Sequence, residues 1–283
     1  MRRQRLDTGF GGSGAAAAGV DAAAQSSLPA DVKSAGVLKV ATSLQWPPFG
    51  FKGEGGKPDG LDLELIKAVA GKLGLETNIT DIKFDSLVPS VSNGRFDVAL
   101  NELADIPERR KVVQFVDYYK TGLAVLVPHD STSDISPTAL CGHTMSLTEG
   151  SSQAILGKQI SKQCVADGKP PIDFKMFSDS ASTILAVANK RVEGFMTDFA
   201  VGVYLTRNQN KTLKVLPGVV PNSSDVAGIV IDKDNDQLAK AVQKALQSLI
   251  DDGAYQKIMD RWGVGERAVS KAEINGGATA EDA

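Results

Sequence analysis

Arg109, in the segment NELADIPERRKVVQFVDYYKTG (residues 101–122), has the side chain best suited to binding an anion. Its guanidinium presents a rigid fork of N–H donors that matches both oxygens of a carboxylate, which a lysine ammonium does not. The acidic neighbours and the adjacent Arg110 also fit a solvated, charged turn. The segment alone therefore leaves two interpretations open, an anion-binding arginine and a surface arginine.

Asp198 lies in the otherwise apolar segment GFMTDFAVGVY, where it can accept hydrogen bonds from an ammonium group. The pattern predicts that a strand ends at this residue and that a helix follows. Aspartate is a preferred N-cap residue, so the same side chain can cap that helix. The two roles are compatible.

Aromatic and hydroxyl side chains complete a candidate pocket. Trp46 and Phe84 offer flat apolar surfaces for stacking or cation–π contacts, although core packing explains them equally well. Ser151 and Ser152 stand at a predicted helix start, where hydroxyl and free N–H groups suit an anion and where capping alone is the alternative. Together with Arg109 and an acid, these residues describe a pocket for a zwitterion.

Motifs for common catalytic and metal chemistry are missing from the sequence. There is no G-x-S-x-G, no G-x-x-x-x-G-K and no H-E-x-x-H pattern. His143 lies near Cys141, but one histidine with two distant thiols is a poor zinc pattern. We therefore expect no catalytic residue, no metal and no cofactor, and we interpret the candidate residues as binding groups.

Composition narrows the class of protein. The 283 residues suffice for two lobes of ordinary size. With 31 basic and 34 acidic residues the net charge is −3. This mild acidity argues against nucleic acid as a partner, because phosphate binding requires a basic face. No apolar stretch approaches the ~20 residues needed to cross a bilayer.

Strand and helix patterns alternate twice along the chain. The first series runs through GVLKVAT, LDLELIKAVAGKLG, LETNITDI, DSLVPSVSNG and FDVALN, and the second starts at HTMSLTEG and ends at GFMTDF. Such alternation predicts two α/β lobes with mostly parallel strands. Ligands of such folds bind past strand ends and between lobes, which is where the candidate residues fall.

The two ends of the chain differ in composition from the rest. Residues 1–30 join a basic start to a glycine- and alanine-rich stretch, which predicts a disordered segment or a degenerate export signal. Residues 268–283, which end in NGGATAEDA, are predicted to form a loose tail.

Cys141 and Cys164 are the only cysteines of the chain. On spacing alone they are either two unrelated buried thiols or a disulfide. A disulfide would stabilise the fold by roughly 3 kcal/mol in the chain-entropy model and would indicate an oxidising compartment.

Several blocks, in this order, resemble the extracytoplasmic solute-binding proteins of polar amino-acid ABC transporters (family 3 type). The blocks are ATSLQWPPFGF, KPDGLDLELIKAVAGKLGLE, FDSLVPSVSNGRFDVAL, IPERRKVVQFVDYYKTG, TEGSSQ, VEGFMTDFAV and DDGAYQKIMDRWGV. The resemblance implies an α/β, two-lobe periplasmic-binding-protein fold of type II. Lobe one would comprise residues 31–122 and 227–267, and lobe two residues 123–226, with hinge crossings near Thr121–Ala124 and Asp225–Gly228.

The resemblance also implies roles for single residues. Arg109 would bind the α-carboxylate of the ligand with the help of the hydroxyl residues Ser151 and Ser152. Asp198 would hold the α-amino group.

Two further pairs of residues receive a role from the same resemblance. Trp46 and Phe84 would form aromatic walls of the pocket. A branch of the family carries a disulfide in lobe two, which implies that Cys141 and Cys164 are bonded.

This chain departs from the family pattern at three pocket positions. Glu102 stands where a small residue is usual, Ala104 where a hydroxyl residue is usual, and Ser43 where Asp is usual. Ala104 would leave only its backbone N–H to help Arg109. A Glu102 that faces the ligand would favour a cationic side chain or a second ammonium group; a glutamate that faces solvent or pairs at the hinge is the alternative.

The function implied by the resemblance is binding of an amino acid or related zwitterion in the periplasm or another extracytoplasmic space. A monomer would close around the ligand by a hinge motion and deliver it to a membrane ABC permease. Two other hypotheses stay open. One is a cyclohexadienyl-dehydratase-like enzyme with Glu102 as general acid, and the other is a ligand-sensing domain.

Overall fold

The structure, a computed structural model, describes residues 19–206, 211–221, 223 and 226–277. These residues form two α/β lobes, each built on a five-stranded sheet, and a small three-stranded sheet beside lobe one. Within the described part of the chain, no helix is long and apolar enough to span a membrane.

The sheet of lobe one has two parallel strand pairings on one side and two antiparallel pairings on the other. Its strands, in spatial order, are β5 (Glu76–Asp81), β1 (Val37–Thr42), β6 (Val98–Ala99), β13 (Val226–Asp232) and β7 (Val113–Lys120). Strand β1 runs parallel to β5 and β6, whereas β13 is antiparallel to β6 and β7. The chain thus leaves lobe one after β7 and returns to it as β13, which lies between β6 and β7.

The sheet of lobe two repeats this plan. Its strands, in spatial order, are β10 (Asp173–Phe177), β9 (Thr144–Thr148), β11 (Gly194–Asp198), β8 (Leu123–Pro128) and β12 (Leu213–Val215). Strand β9 pairs in parallel with β10 and β11, and β8 is antiparallel to β11 and β12. The parallel strands β9 and β11 end at Thr148 and Asp198, so both carboxyl ends reach the same edge of the sheet.

Helices cover the sheets on both lobes. In lobe one they are α1 (Ala22–Ser26), α2 (Ala30–Ala35), α3 (Leu61–Leu73), α4 (Leu87–Ser92), α5 (Pro107–Arg110), α9 (Asp236–Asp251) and α10 (Ala254–Arg261). In lobe two they are α6 (Ser152–Ala166), α7 (Ser180–Ala188) and α8 (Phe199–Tyr204). The amphipathic α9 buries Leu238, Val242, Leu246 and Leu249 as its pattern predicts.

The small sheet carries one of the candidate aromatic residues. It consists of β2 (Gln45–Trp46), β3 (Gly50–Lys52) and β4 (Pro58–Asp59), in that order. The ring of Trp46 is buried and lies edge-on to Phe195 of lobe two, with ring centroids 6.2 Å apart.

Two stretches of chain connect the lobes. The first is Thr121 and Gly122, between β7 and β8. The second follows Val220, whose N–H donates to the Leu123 carbonyl in lobe two at 2.8 Å, and precedes β13 in lobe one. Asp225, where the second crossing was predicted to begin, lies outside the described residues.

The predicted disorder of residues 1–30 is wrong for residues 21–30. Asp21 caps α1 by accepting from the Ala24 N–H at 2.9 Å, and its own N–H donates to the Lys72 carbonyl. Ala24 and Leu28 are buried in the core of lobe one. Alanine is the best helix former, and packing against α3 and α9 stabilises this short alanine-rich helix. Residues 1–18 lie outside the described residues.

The prediction of a loose tail is wrong for residues 268–277. The segment runs along the open edge of β7, where Ala268 and Ile274 bridge to Tyr119 and Val116. Ala272 is buried. Pairing along this strand satisfies backbone groups that an uncovered edge would leave to solvent. Residues 278–283 lie outside the described residues.

The predicted disulfide is confirmed. Cys141, just before β9, bonds to Cys164 on α6, with a Cα–Cα distance of 5.6 Å. Cys164 is buried, so the bond ties a helix to the sheet of lobe two.

Candidate functional site

A narrow cavity of about 20 Å³ lies between the two lobes. Both lobes line it. Its lining residues are Trp46, Phe84, Asn101, Glu102 and Arg109 from lobe one, and Thr148, Ser151, Ser152, Gln153, Ser180, Phe195 and Met196 from lobe two.

The cavity collects most of the residues singled out from the sequence. Arg109, Trp46, Phe84, Ser151, Ser152 and Glu102 line it, whereas Asp198, Ala104 and Ser43 do not. Each of these last three contacts a lining residue instead: Asp198 contacts Glu102, Ala104 contacts Arg109, and Ser43 contacts Asn101. These three residues therefore lie behind the residues that line the cavity.

Arg109 connects the two lobes. It lies on α5, a single turn that begins with Pro107 at its first position, where proline is favoured. One terminal nitrogen, Nη1, donates to the Ala104 carbonyl at 2.9 Å, and the other, Nη2, donates to the Gly150 carbonyl in lobe two at 3.1 Å. The guanidinium carries more N–H donors than these two carbonyls use. Ala104 therefore contributes its carbonyl to Arg109, whereas its N–H was the group expected to help.

Arg109 is only 8% exposed, which excludes the surface-turn interpretation. Burial lowers the pKa of Arg109 to about 10. Among the described residues, no carboxylate comes within 4.0 Å of its nitrogens, whereas the neighbouring Arg110 pairs with Asp105 at 2.5 Å. A buried cation without a close counterion is costly, and a carboxylate brought by a ligand would offset that cost.

Both serines lie at the start of α6, as predicted, and both line the cavity. Ser151 is the N-cap of α6: its Oγ accepts from the Ala154 N–H at 3.1 Å and donates to the Thr148 carbonyl at 2.7 Å. Ser152 is the first helical residue and lines the cavity beside it. The start of a long helix therefore faces the same space as Arg109, and its partial positive charge suits an anion.

Glu102 faces the cavity rather than solvent, with 9% of its surface exposed. Its backbone lies in the left-handed region, at φ 50°, which residues with a Cβ rarely adopt. Two contacts hold it there. The Glu102 N–H donates to Asp62 Oδ2 at 2.9 Å, and the carboxylate Oε2 accepts from Trp46 Nε1 at 2.6 Å.

Asp198 meets Glu102 across the cleft. The two carboxyl groups are in hydrogen-bonding contact, and Asp198 is fully buried. Asp198 also caps α8 through the Ala200 N–H at 2.7 Å, and it accepts from Tyr119 Oη at 3.1 Å and the Gly122 N–H at 3.3 Å. Burial raises the pKa of both acids, and the charge of Asp198 raises that of Glu102 further.

Asn101 was missed by the sequence interpretation. Its Nδ2 donates to the Ser43 carbonyl at 3.0 Å, while its buried Oδ1 has no hydrogen-bond partner among the described residues. The signal was present: Asn101 ends the apolar run FDVAL, at the carboxyl end of a predicted strand. Thr148 offered the same signal at the end of β9.

Other missed residues had no comparable signal. Gln153, Ser180, Phe195 and Met196 line the cavity only because the two lobes face each other as they do. The described residues contain no group of three or more His, Cys, Asp or Glu placed to hold a metal ion.

Comparison with known proteins decides the family. The family of bacterial extracellular solute-binding proteins, family 3, matches residues 38–265. This chain belongs to that family. The match confirms the family, and with it the two-lobe fold, predicted from the sequence blocks.

Named relatives of this solute-binding protein are similar over most of their length. The arginine-binding protein ArgT of Corynebacterium glutamicum is 28% identical over 252 residues, which are 89% of this chain and 82% of that protein. The arginine-binding extracellular protein ArtP of Bacillus subtilis is 30% identical over 81% of this chain and 87% of its own. An ancestral arginine-binding protein, solved bound to arginine, is 32% identical with a TM-score of 0.72, covering 80% of this chain and 98% of the other.

Proposed function

We propose that this solute-binding protein binds an α-amino acid in the cavity between its lobes and delivers it to the membrane permease of an ABC transporter. The observation that carries the proposal is the buried Arg109, which lines the cavity and has no carboxylate within 4.0 Å in the described part of the chain. A ligand carboxylate placed there would meet the guanidinium fork and the start of α6. The carboxylates of Glu102 and Asp198 would accept hydrogen bonds from the ammonium group of the ligand.

Closure of the lobes is the motion we propose for this protein. Arg109 donates to carbonyls on both lobes, Trp46 meets Phe195 across the cleft, and two short crossings connect the lobes. A ligand that contacts both lobes stabilises the closed form by its differential affinity, and the permease then receives the closed form. We place this cycle outside the cytoplasm, in the periplasm or its equivalent, with the protein acting as a monomer.

The relatives support a ligand with a cationic side chain. Both named relatives are arginine-binding proteins, and the ancestral protein was solved with arginine. In this chain Glu102 adds an acid to the cavity wall. Arginine is therefore the first ligand to test.

Calorimetry with purified protein tests the proposed function. We expect saturable binding of one or more α-amino acids, loss of all such binding in Arg109→Ala, and a roughly tenfold or greater loss in Arg109→Lys, which keeps the charge but not the planar fork. Agmatine, which is arginine without its carboxylate, should not bind to the wild type. A thermal unfolding midpoint for each unliganded variant shows whether it is folded.

Two results would contradict the proposal. Retained amino-acid affinity in folded Arg109→Ala would remove Arg109 from the site. Recovery of a chemically altered ligand after incubation, seen by mass spectrometry, would identify an enzyme of the dehydratase kind in place of a carrier.

A further inference from the structure

Residues 268–277 form a tail segment that follows the part of the chain matched by family 3, which ends at residue 265. The tail segment pairs with the edge of β7. The Asn275 N–H donates to the Phe115 carbonyl at 3.1 Å, and the Phe115 N–H donates to Asn275 Oδ1 at 2.9 Å. The tail segment therefore has a fixed position on lobe one, outside the elements that match the family.

The far end of the tail segment contacts the cleft loop, residues 100–106, which connects β6 to α5 and so leads to Arg109. The Gly277 N–H donates to Asp105 Oδ2 at 3.0 Å. The other carboxylate oxygen of Asp105, Oδ1, accepts from Arg110 Nε at 2.5 Å. Because Asp105 is fully buried, its carboxylate depends on these donors in place of water.

Asp105 also fixes the backbone of the cleft loop. Its N–H donates to the Val226 carbonyl at 2.9 Å, where β13 begins after the second crossing. Ala104, the preceding residue, bridges to Ala227, and its carbonyl accepts from Arg109 Nη1 at 2.9 Å. A shift of Asp105 would therefore move the carbonyl that orients the Arg109 guanidinium.

The near end of the tail segment connects to the same loop through a buried chain of hydrogen bonds. The Val269 N–H donates to Tyr255 Oη at 2.9 Å, and that hydroxyl donates to the Tyr118 carbonyl at 2.6 Å. Tyr118 Oη donates to Asp62 Oδ1 at 2.5 Å, and Asp62 Oδ2 accepts from the Glu102 N–H at 2.9 Å. The cleft loop is thus held at two points, one through each end of the tail segment.

The position of the cleft loop matters because the fork of Arg109 is planar. Bidentate contacts with a carboxylate require a fixed geometry, and a site that is loose by about 1 Å loses much of its function. Asp105 and Gly277 do not line the cavity, so they can affect a ligand only through the loop and the arginine.

We propose that the tail segment positions Arg109 for its ligand: the Gly277 N–H holds Asp105, Asp105 holds the cleft loop, and the loop holds the guanidinium in the orientation that a carboxylate requires. Asp105 and Gly277 are positioning residues. This role rests on the proposed binding of an amino-acid carboxylate by Arg109. It adds a segment beyond the family match to the residues that determine affinity.

Gly277→Pro tests this role, because proline has no N–H to donate to Asp105. The matched control is Gly277→Ala, which keeps that N–H. Titration calorimetry of the full chain uses arginine, or the tightest-binding of the other standard amino acids if arginine does not bind. We expect Gly277→Pro to weaken binding roughly three- to tenfold, the scale of one hydrogen bond, and Gly277→Ala to weaken it less than about twofold.

A double-mutant cycle with Arg109→Lys separates positioning of the arginine from a general loosening of lobe one. Lysine has no planar fork to orient, so adding Gly277→Pro to Arg109→Lys should weaken binding by less than about twofold. Thermal shifts at millimolar ligand measure the weak affinities in this background. Tyr255→Phe, which removes the hydroxyl between Val269 and Tyr118, should give the same pattern and decides the question if Gly277→Pro does not fold.

The outcomes distinguish this role from the proposed function. Equal affinities of folded Gly277→Pro and Gly277→Ala would overturn the positioning role and leave amino-acid binding intact. An equal loss from Gly277→Pro with and without Arg109→Lys would also overturn it, because the tail segment would then act on lobe one as a whole. Absence of amino-acid binding in the wild type would overturn the proposed function and this role together.

Discussion

At the scale of single residues, Glu102 combines an unfavourable backbone with a specific set of contacts. A residue with a Cβ in the left-handed region costs roughly 1–2 kcal/mol relative to the right-handed helix region. Its N–H is held by Asp62, which is itself fixed by Tyr118 Oη at 2.5 Å. Burial raises the pKa of Asp62 to about 6. Strained residues supported in this way are common at binding sites, where the surrounding structure determines their conformation.

The indole N–H of Trp46 stabilises the charged form of Glu102, against the effect of burial, and provides a test at this scale. In Trp46→Phe the ring surface stays, but the donor to Oε2 is lost, so the pKa of Glu102 rises further. We expect arginine affinity at neutral pH to fall roughly tenfold, as for loss of a hydrogen bond to a charged group. Calorimetry of Trp262→Phe is the matched control, because that indole donates to Glu64, outside the cavity lining. Equal losses in both variants would argue against the role of Trp46.

Whether a site residue could be predicted depends on whether its role leaves a local pattern in the sequence. The segment around Arg109 left a surface arginine open, so the family resemblance was needed to expect it in the cavity, whereas Ser151 stands at a predicted helix start that is both a cap and a cavity wall. Asp198 was also expected in the pocket, but the cavity lining includes Glu102 and not Asp198. The carboxyl partner of Asp198 is Glu102 in the other lobe, and a pairing so distant along the chain leaves no local pattern in the sequence.

At the scale of elements, both chain ends contain ordered segments although their composition predicted disorder and a loose tail. These segments are residues 21–30 and 268–277. Helix α1 has no helical repeat of large apolar residues, yet Ala24 is buried because a small side chain lets α1 approach α9 closely. The tail has too few apolar residues to form a core of its own, but it needs only the edge of β7. The predicted strands β1, β5, β6, β9, β10 and β11 and the helix α9 are present in the predicted order, whereas β7, β8, β12 and β13, which make the antiparallel half of each sheet, were not predicted.

Leu28 tests whether the N-terminal segment belongs to the core of lobe one. The side chain is 4% exposed, and a buried Leu→Ala change costs ~2–5 kcal/mol. We expect Leu28→Ala to lower the free energy of unfolding by about 2 kcal/mol, measured by urea denaturation. Val20 is 54% exposed, so Val20→Ala should change it by less than about 0.5 kcal/mol. Equal effects in the two variants would contradict the packing described here.

At the scale of the whole molecule, the closed form depends on a few contacts that cross the cleft. Arg109 donates to Gly150, Trp46 meets Phe195, and Glu102 meets Asp198. Each pair has one partner in each lobe, so opening breaks all three together. Because they are polar or small in area, their sum is modest, and a ligand that replaces or adds to them can shift the balance by its own contacts.

Arg267 lies outside the cavity lining and adds a contact at the hinge itself. Its Nη1 donates to the carbonyl of Thr121 in the first crossing at 3.4 Å, and its guanidinium lies 6.0 Å from the ring centroid of Phe199 in lobe two. A cation–π contact at a partly exposed site contributes ~0.5–1 kcal/mol. Since Phe199 and Arg267 belong to different lobes, this contact stabilises the closed form.

Removing this contact should weaken every ligand equally. We expect Arg267→Ala to lower affinity roughly two- to fivefold for every amino acid that binds, because closure becomes less favourable while the cavity lining is unchanged. Arg95→Ala is the matched control: it removes a cation–π contact of 5.3 Å with Phe96, wholly within lobe one, and should leave affinity unchanged. Small-angle scattering of each variant at saturating ligand reports closure. A loss that differs between amino acids in Arg267→Ala, or equal losses in both variants, would show that Arg267 does not act through the hinge.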